Sequence, residues 1–177
     1  MRDLNVVAIE CMRELEIIGI PFGKVTEFSV NTRAKRRWGL CRKNGDGTFS
    51  ININADLLLE STDIDGLKNT IIHELLHTCP DCFCHTGEWK RLADKVNKYY
   101  GYGITRCSTA ADKGIDEKVI QAREIERERK RKNPKYIFKC KGCGQIVTRQ
   151  RKSDFTEYYR LYHCGRCHGA FEPVKNA

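Results

Sequence analysis

Residues 63–77 read Asp-Ile-Asp-Gly-Leu-Lys-Asn-Thr-Ile-Ile-His-Glu-Leu-Leu-His, and the interpretation of the whole chain starts from this stretch. Thr62 or Asp63 can cap a helix here, and Pro80 ends it, because the residue before a proline resists the α conformation. Aliphatic residues at helical spacing form a broad apolar face: Leu67, Ile71, Ile72, Leu75 and Leu76. The sequence therefore predicts an amphipathic helix that carries a His-Glu-x-x-His pattern.

The spacing of this pattern predicts a catalytic zinc site. Four residues turn an α-helix by about 400°, so His73 and His77 project from one face and can bind one Zn²⁺ through ring nitrogens. Glu74 lies about 100° further round, beside the metal without binding it. We expect Glu74 to act as the general base that takes a proton from a zinc-bound water and returns it to the leaving amine.

A third ligand is expected from His85, which follows His77 by eight residues, after the turn at Pro80. Three of the five histidines thus fall within thirteen positions of one another. Glu88 is the competing candidate, because some zincins take a glutamate from a later helix. The metzincin pattern needs a glycine and a histidine sooner than this chain supplies them, so that class is excluded.

The surrounding segments predict an α+β fold. A first helix is expected from Leu4 to Ile18, and another from near Thr86 to Tyr100. The residue patterns predict three strands in a small antiparallel sheet, over residues 25–30, 38–42 and 49–54. Residues 44–47, Asn-Gly-Asp-Gly, form a hairpin turn between the last two.

Charge divides the chain in two. Residues 1–113 carry 16 basic and 15 acidic side chains, whereas residues 114–177 carry 16 basic and 8 acidic, so most of the net charge of +9 lies in the last third. A nearly all-charged linker helix is expected to end at Asn133-Pro134. The predicted division is a catalytic domain over 1–112, a charged linker helix over 113–135 and a zinc-ribbon domain over 136–177.

Two Cys-x-x-Cys pairs separated by twenty residues predict the ribbon. Their four thiolates, from Cys140, Cys143, Cys164 and Cys167, would bind one structural Zn²⁺ in a closed tetrahedral site. Of the other six cysteines, Cys79, Cys82, Cys84 and Cys107 could hold a further metal, or could simply pack or pin a short loop. The expected cofactors are therefore two zinc ions, one catalytic and one structural.

The basic end of the chain predicts a nucleic-acid-binding surface, since Lys and Arg release counterions from DNA and aromatic rings such as Tyr136 and Phe138 can stack on unpaired bases. The DNA is expected to be single-stranded or recognised without sequence preference. Nine residues are the candidates: Lys130, Arg131, Lys132, Lys135, Lys139, Lys141, Arg149, Arg151 and Lys152. A second cluster, of Arg33, Lys35, Arg36 and Arg37, could line a groove beside the metal.

Composition restricts the class of protein. Charged residues make up 31% of the chain, and no apolar run approaches the roughly 18 residues that a bilayer span needs, so membrane partners are not expected. The first residues lack a secretory signal pattern, and we expect the cytoplasm. In that reducing compartment, cysteines are better read as metal ligands than as disulfides.

Several of these segments together resemble a known family. His73-Glu74-Leu75-Leu76-His77, followed by residues 85–90, His-Thr-Gly-Glu-Trp-Lys, is similar to the SprT-like (Spartan) zinc metalloproteases, in which a third histidine precedes a Trp-containing helix. Residues 31–34, 38–42 and 51–54 also resemble the family's strand region. The resemblance covers roughly residues 1–105, plus a ribbon that many bacterial members carry. Thr86 departs from the pattern, since many members have glycine there, and the loop between His77 and His85 is shorter than in the Spartan branch.

The resemblance implies a zinc-dependent peptidase, which in the best-known members digests proteins crosslinked to DNA. Two other functions remain open. The chain could be a non-catalytic nucleic-acid-binding protein in which both zinc ions are structural, or a peptidase that cleaves a regulatory protein. The oxyanion-stabilising residue is not evident, and Tyr99, Tyr100 and Tyr102 are candidates only by their position in the sequence.

Overall fold

The computed structural model describes residues 1–34 and 37–175, and the chain divides into two compact units, Met1–Ile120 and Gln121–Ala177. The first unit contains the His-Glu-x-x-His segment and the second contains the four cysteines of the predicted ribbon. The α+β class is confirmed. The finer division at residues 112 and 135 stays a prediction.

The first unit is built from three helices and three strands, and a fourth helix begins in it. In chain order these are α1 (Leu4–Ile17), β1 (Val25–Asn31), β2 (Gly39–Lys43), β3 (Phe49–Asn54), α2 (Ile64–Leu76), α3 (Glu88–Tyr100) and α4 (Glu117–Lys132). A short 3₁₀ turn, Ala55–Leu58, joins β3 to the approach to α2. These bounds lie within one or two residues of most of the sequence predictions.

The sheet of the first unit is mixed, so the expectation of a wholly antiparallel sheet was wrong. Its strand order is β1-β3-β2. β2 and β3 are antiparallel, as the tight turn between them requires, but β1 pairs with β3 in parallel. β2 occupies one edge of β3 through the hairpin, and β1 pairs with the other edge. β2 is left as an edge strand.

α2 lies at the centre of the core. Its five aliphatic residues that defined the apolar face are fully buried, and Ala8, Cys11 and Leu15 of α1 belong to the same cluster. Full burial of each large aliphatic side chain contributes about 1.5–3 kcal/mol relative to exposure. The Asp63 side chain accepts a hydrogen bond from the Asp65 N–H and caps the helix. The helix that carries the candidate ligands is therefore held rigidly.

The second unit is a small antiparallel sheet with order β5-β4-β6, formed by β4 (Tyr136–Cys140), β5 (Ile146–Arg149) and β6 (Phe171–Lys175). A one-turn helix, α5 (Asp154–Glu157), and a 3₁₀ turn lie between β5 and β6. The buried cluster of this unit consists of Phe138, Phe171 and two cysteines. So small a core needs a further cross-link such as a metal ion to be stable.

No helix within residues 1–34 or 37–175 is long and apolar enough to cross a membrane. A spanning helix needs about 20 predominantly apolar residues. α4 has 16 residues, and most of them are charged.

Candidate metal centre and active site

Three histidine rings converge on one point in the first unit. α2 supplies His73 from its last turn and His77 at its C-cap, and the loop before α3 supplies His85. The Nε2 atom of His85 lies 3.0 Å from Nε2 of His77 and 2.9 Å from Nε2 of His73. Three ring nitrogens at this separation can present their lone pairs to a single cation.

Hydrogen bonds on the far side of the rings prepare them for a metal. The Nδ1 atom of His77 lies 2.8 Å from the carbonyl oxygen of Cys82. A carbonyl can only accept, so Nδ1 carries the proton and Nε2 keeps its lone pair. The backbone of Thr105 hydrogen-bonds the His73 ring in the same way, and Trp89 packs against all three imidazoles at centroid distances of 4.7–5.6 Å.

Burial favours the neutral form of all three histidines. Burial lowers the pKa of His73 to about 3, and the neighbouring charges of His77 and His85 act in the same direction. Burial also lowers the pKa values of His77 and His85. Neutral imidazole is the form that binds metal, so little free energy is lost to deprotonation when a cation enters.

The donor set fits zinc. Three imidazole nitrogens with an open fourth position are a known arrangement of catalytic zinc sites. Glu88 does not join them: its carboxylate accepts hydrogen bonds from Arg91, and it is absent from the metal-capable groups found among the described residues. Those groups are the histidine triad and the cluster of four cysteines.

Glu74 is held against β2. Its side chain is buried, at 7% exposure, and the backbone N–H of Cys41 donates a hydrogen bond to its carboxylate. Gly39 makes this approach possible, because a Cβ atom there would lie 2.4 Å from the Glu74 Oε1 atom. Burial raises the pKa of Glu74 to about 7, against the lowering effects of the Cys41 N–H and of the Lys113 and Arg37 charges. A carboxylate with this pKa suits proton transfer near neutral pH.

The triad and Glu74 open onto one cavity of about 470 Å³. The edge strand β2 forms one wall through residues 39–41. Arg37, Arg106 and the 73% exposed ring of Phe83 line it from more open positions, whereas Lys113 is buried in it. Sequence reasoning missed Lys113, since a lone lysine in a loop belongs to no recognisable pattern.

The tyrosine candidates for the oxyanion role were wrong. The Tyr100 hydroxyl donates to the Glu14 carbonyl at 2.8 Å, and the Tyr102 hydroxyl donates to the Glu14 carboxylate at 2.9 Å. Tyr99 is exposed, and none of the three lines the described cavity. Their proximity in sequence to the metal ligands does not become proximity in space.

The four predicted ribbon cysteines come together in the second unit. The Sγ atoms lie 3.4 Å apart for Cys140 and Cys167, and 3.6 Å apart for Cys143 and Cys164. Backbone N–H groups that point at the sulfurs, that of Cys143 foremost, hold the pKa of Cys140 well below its usual range. A Cβ atom on Gly169 would lie 3.0 Å from the Cys140 Sγ atom, so the chain there approaches closely. Four thiols in one closed cluster fit a structural zinc.

The remaining cysteines do not form a third cluster within the described residues. Cys79 and Cys82 are buried in the core of the first unit, whereas Cys84 and Cys107 are exposed. Burial is the main factor that raises the pKa values of Cys79 and Cys82. The packing role considered for these two residues fits the structure better than a further metal site.

All nine basic candidates for nucleic-acid binding are exposed. The aromatic part of the expectation was wrong for Phe138, which is fully buried in the second unit, and Tyr136 is half-buried. Tyr158 and Tyr162 expose their rings instead. In the second predicted cluster, Arg33 is exposed and Arg37 lines the cavity, whereas residues 35 and 36 lie outside the described part of the chain.

Comparison with known proteins gives two matches. The sequence model of the SprT-like family matches residues 20–109, which is half of the chain and contains the triad and Glu74. The "Protein SprT-like" of Lactococcus lactis subsp. lactis (strain IL1403) is 26% identical over 151 residues, which cover 82% of this chain and 84% of that relative. No solved structure matches the chain. The chain belongs to the SprT-like family.

Proposed function

We propose that this protein is a zinc-dependent metallopeptidase that cleaves proteins associated with DNA. One observation carries the peptidase part: three histidine nitrogens converge beside a buried glutamate, and all of them face one open cavity. Membership of the SprT-like family indicates a zinc metallopeptidase-like fold and supports the same conclusion.

The proposed reaction uses Glu74 as the proton carrier. A zinc ion held by His73, His77 and His85 would acidify a water molecule and polarise the substrate carbonyl. The Glu74 carboxylate takes a proton from that water and later delivers it to the nitrogen of the leaving amine. The Cys41 N–H orients the carboxylate for both transfers.

The edge strand β2 offers a docking site for the substrate backbone. β3 pairs with only one side of β2, and residues 39–41 line the cavity. Glu74 already accepts the Cys41 N–H, but an extended peptide can add to the other main-chain groups of this edge, and such hydrogen bonds do not depend on sequence. This arrangement suits an enzyme that accepts unfolded segments of many proteins.

The proposed link to DNA rests on charge. Residues 114–177 carry twice as many basic as acidic side chains, and the nine candidates are all exposed. Such a surface binds phosphates without reading bases, and the exposed rings of Tyr158 and Tyr162 can stack on unpaired bases. Single-stranded DNA is therefore the proposed partner.

The alternative of a non-catalytic nucleic-acid-binding protein requires a closed metal site. Within the described residues the first cluster has three ligands, so the fourth position is left for water. A peptidase that cleaves a regulatory protein would share the site described above but would not need DNA. The two peptidase hypotheses therefore differ in their DNA dependence.

Metal analysis and proteolysis of the His85→Ala variant test the proposal together. The wild-type protein should contain two zinc ions per chain and the variant one, because the ribbon cluster keeps its own. The wild type should digest a protein crosslinked to single-stranded DNA faster than the same protein alone, and the variant should digest neither. Equal zinc contents would contradict the ligand set, and equal rates with and without DNA would favour the regulatory peptidase.

A further inference from the structure

Lys113 is a buried cation inside the candidate active site. Its side chain is only 6% exposed, and it lines the same cavity as Glu74 and His73. No residue within 1–34 or 37–175 forms a hydrogen bond or ion pair with its ammonium group. The side-chain stem is buried, but the ammonium nitrogen reaches the cavity, where the Glu74 charge acts on it and a ligand can meet it.

Close backbone contacts fix the position of this lysine. A Cβ atom on Gly66, in the first turn of α2, would lie 2.0 Å from the Lys113 carbonyl oxygen. The next residue, Gly114, has a φ of +61°, and the Asp63 N–H donates to its carbonyl at 3.2 Å. The two glycines thus let the backbone at Lys113 rest directly on the N-terminal turn of α2.

Gly66, which the Lys113 backbone contacts, lies on the same face of α2 as the metal ligands. Gly66, Thr70, His73 and His77 follow each other at helical spacing, and the last three line the cavity. The Thr70 hydroxyl donates to the Gly66 carbonyl at 2.9 Å, so its proton does not compete for a ligand in the cavity. Lys113, Glu74 and His73 line the same cavity, and the Lys113 charge lowers the pKa values of the other two groups.

Lys113 differs from the other cations that line the cavity because its side chain is buried. Arg37 and Arg106 are exposed, and phosphates or acidic side chains can reach them from solvent. Because the Lys113 side chain is buried, a ligand group must enter the cavity to meet its ammonium. In a bound peptide, the carbonyl under attack has to enter the same cavity, because it must meet the water beside Glu74.

We propose that Lys113 is a catalytic residue, whose ammonium donates a hydrogen bond to the scissile carbonyl oxygen as that oxygen becomes negatively charged. This inference rests on the proposed peptidase function. When the water oxygen bonds to the carbonyl carbon, the π electron pair moves to the carbonyl oxygen, and Lys113 stabilises it without giving up its proton. When the carbon–nitrogen bond breaks, the pair returns, and Glu74 delivers the proton of the water to the amine.

The test compares Lys113→Met with a control, Lys118→Met, at an exposed position on α4. Methionine has a similar length and no charge, so zinc content and the urea midpoint should not fall. With casein as substrate, we expect a kcat about 10²-fold lower for Lys113→Met and a KM changed less than about threefold, since the interaction forms only in the transition state. The control should match the wild type.

Two further readouts separate catalysis from structure. A phosphonamidate peptide, made for a casein bond that the wild type cleaves, should bind Lys113→Met at least about 10-fold more weakly, while the parent peptide should bind both proteins equally. In Lys113→Ala, added ethylamine should restore part of the lost kcat.

Three results would overturn the inference: an unchanged kcat in Lys113→Met, equal loss of affinity for analogue and peptide, or no rescue by ethylamine in Lys113→Ala. Wild-type cleavage that Glu74→Gln abolishes and Lys113→Met leaves intact would reject the role of Lys113 alone. A zinc-loaded wild type that cleaves no protein would reject the peptidase function, and the role of Lys113 with it.

Discussion

Replacing Gly39 with alanine should impair the enzyme without touching a metal ligand. The new Cβ atom would lie 2.4 Å from Glu74 Oε1 and 2.6 Å from Glu74 Cγ. Ordinary contacts between nonbonded atoms begin near 3.4 Å, so the carboxylate must move by about 1 Å. A displacement of that size at a catalytic group can cost about 10²-fold in rate.

The assay is the cleavage rate per bound zinc, measured on casein or on a DNA-bound protein. We expect Gly39→Ala to keep two zinc ions and to lose about 10²-fold in kcat, and its free energy of unfolding should fall by about 1–3 kcal/mol through overpacking. Gly45→Ala is the matched control, because it lies in the turn of the same hairpin and its Cβ would meet nothing within 4 Å. Full activity in Gly39→Ala would refute the role assigned to β2 in holding Glu74.

Three further predictions concern other parts of the molecule. In the metal-free protein, Glu74→Gln should raise the free energy of unfolding at pH 8 and have little effect at pH 4, as measured by urea unfolding at both pH values. The reason is that a carboxyl whose folded pKa is raised to about 7 destabilises the fold increasingly as pH rises. In the full chain, Cys143→Ser should expose residues 136–175 to trypsin and leave 1–120 resistant, and equal resistance of both would contradict a structural metal. Replacing Arg149 and Arg151 together by glutamine should reduce the salt dependence of single-stranded DNA binding. The slope of the logarithm of the binding constant against the logarithm of the salt concentration should fall by about 0.7 for each phosphate that the variant no longer neutralises, whereas Lys98→Gln should leave it unchanged.

The local sequence pattern was sufficient to predict the features that a single helix or turn determines. The His-Glu-x-x-His helix, its cap at Asp63 and its apolar face follow from spacing, and the convergence of His85 follows from a short turn after α2. The helix and the turn depend on contacts between residues that are close in sequence. The spacing of the two Cys-x-x-Cys pairs also predicted the four-cysteine cluster, although its sulfur contacts join residues 21 and 27 positions apart.

Features that depend on tertiary packing could not be predicted in the same way. The parallel pairing of β1 with β3 is set by which edge of β3 the hairpin leaves free, and no local signal encodes that choice. Phe138 was expected to be exposed among the lysines of the basic end, yet the small core of the second unit needs its ring. Lys113 reaches the cavity only because Gly66 and Gly114 allow the backbone to approach α2.

The most direct test of the central claim is the digestion of a protein crosslinked to single-stranded DNA, by wild type and by Glu74→Gln at equal zinc content. We predict that the wild type cleaves the protein and that the variant, with both zinc ions bound, is slower by about 10²-fold or more, because glutamine cannot accept the proton of the water. Cleavage by Glu74→Gln at the wild-type rate would contradict the account.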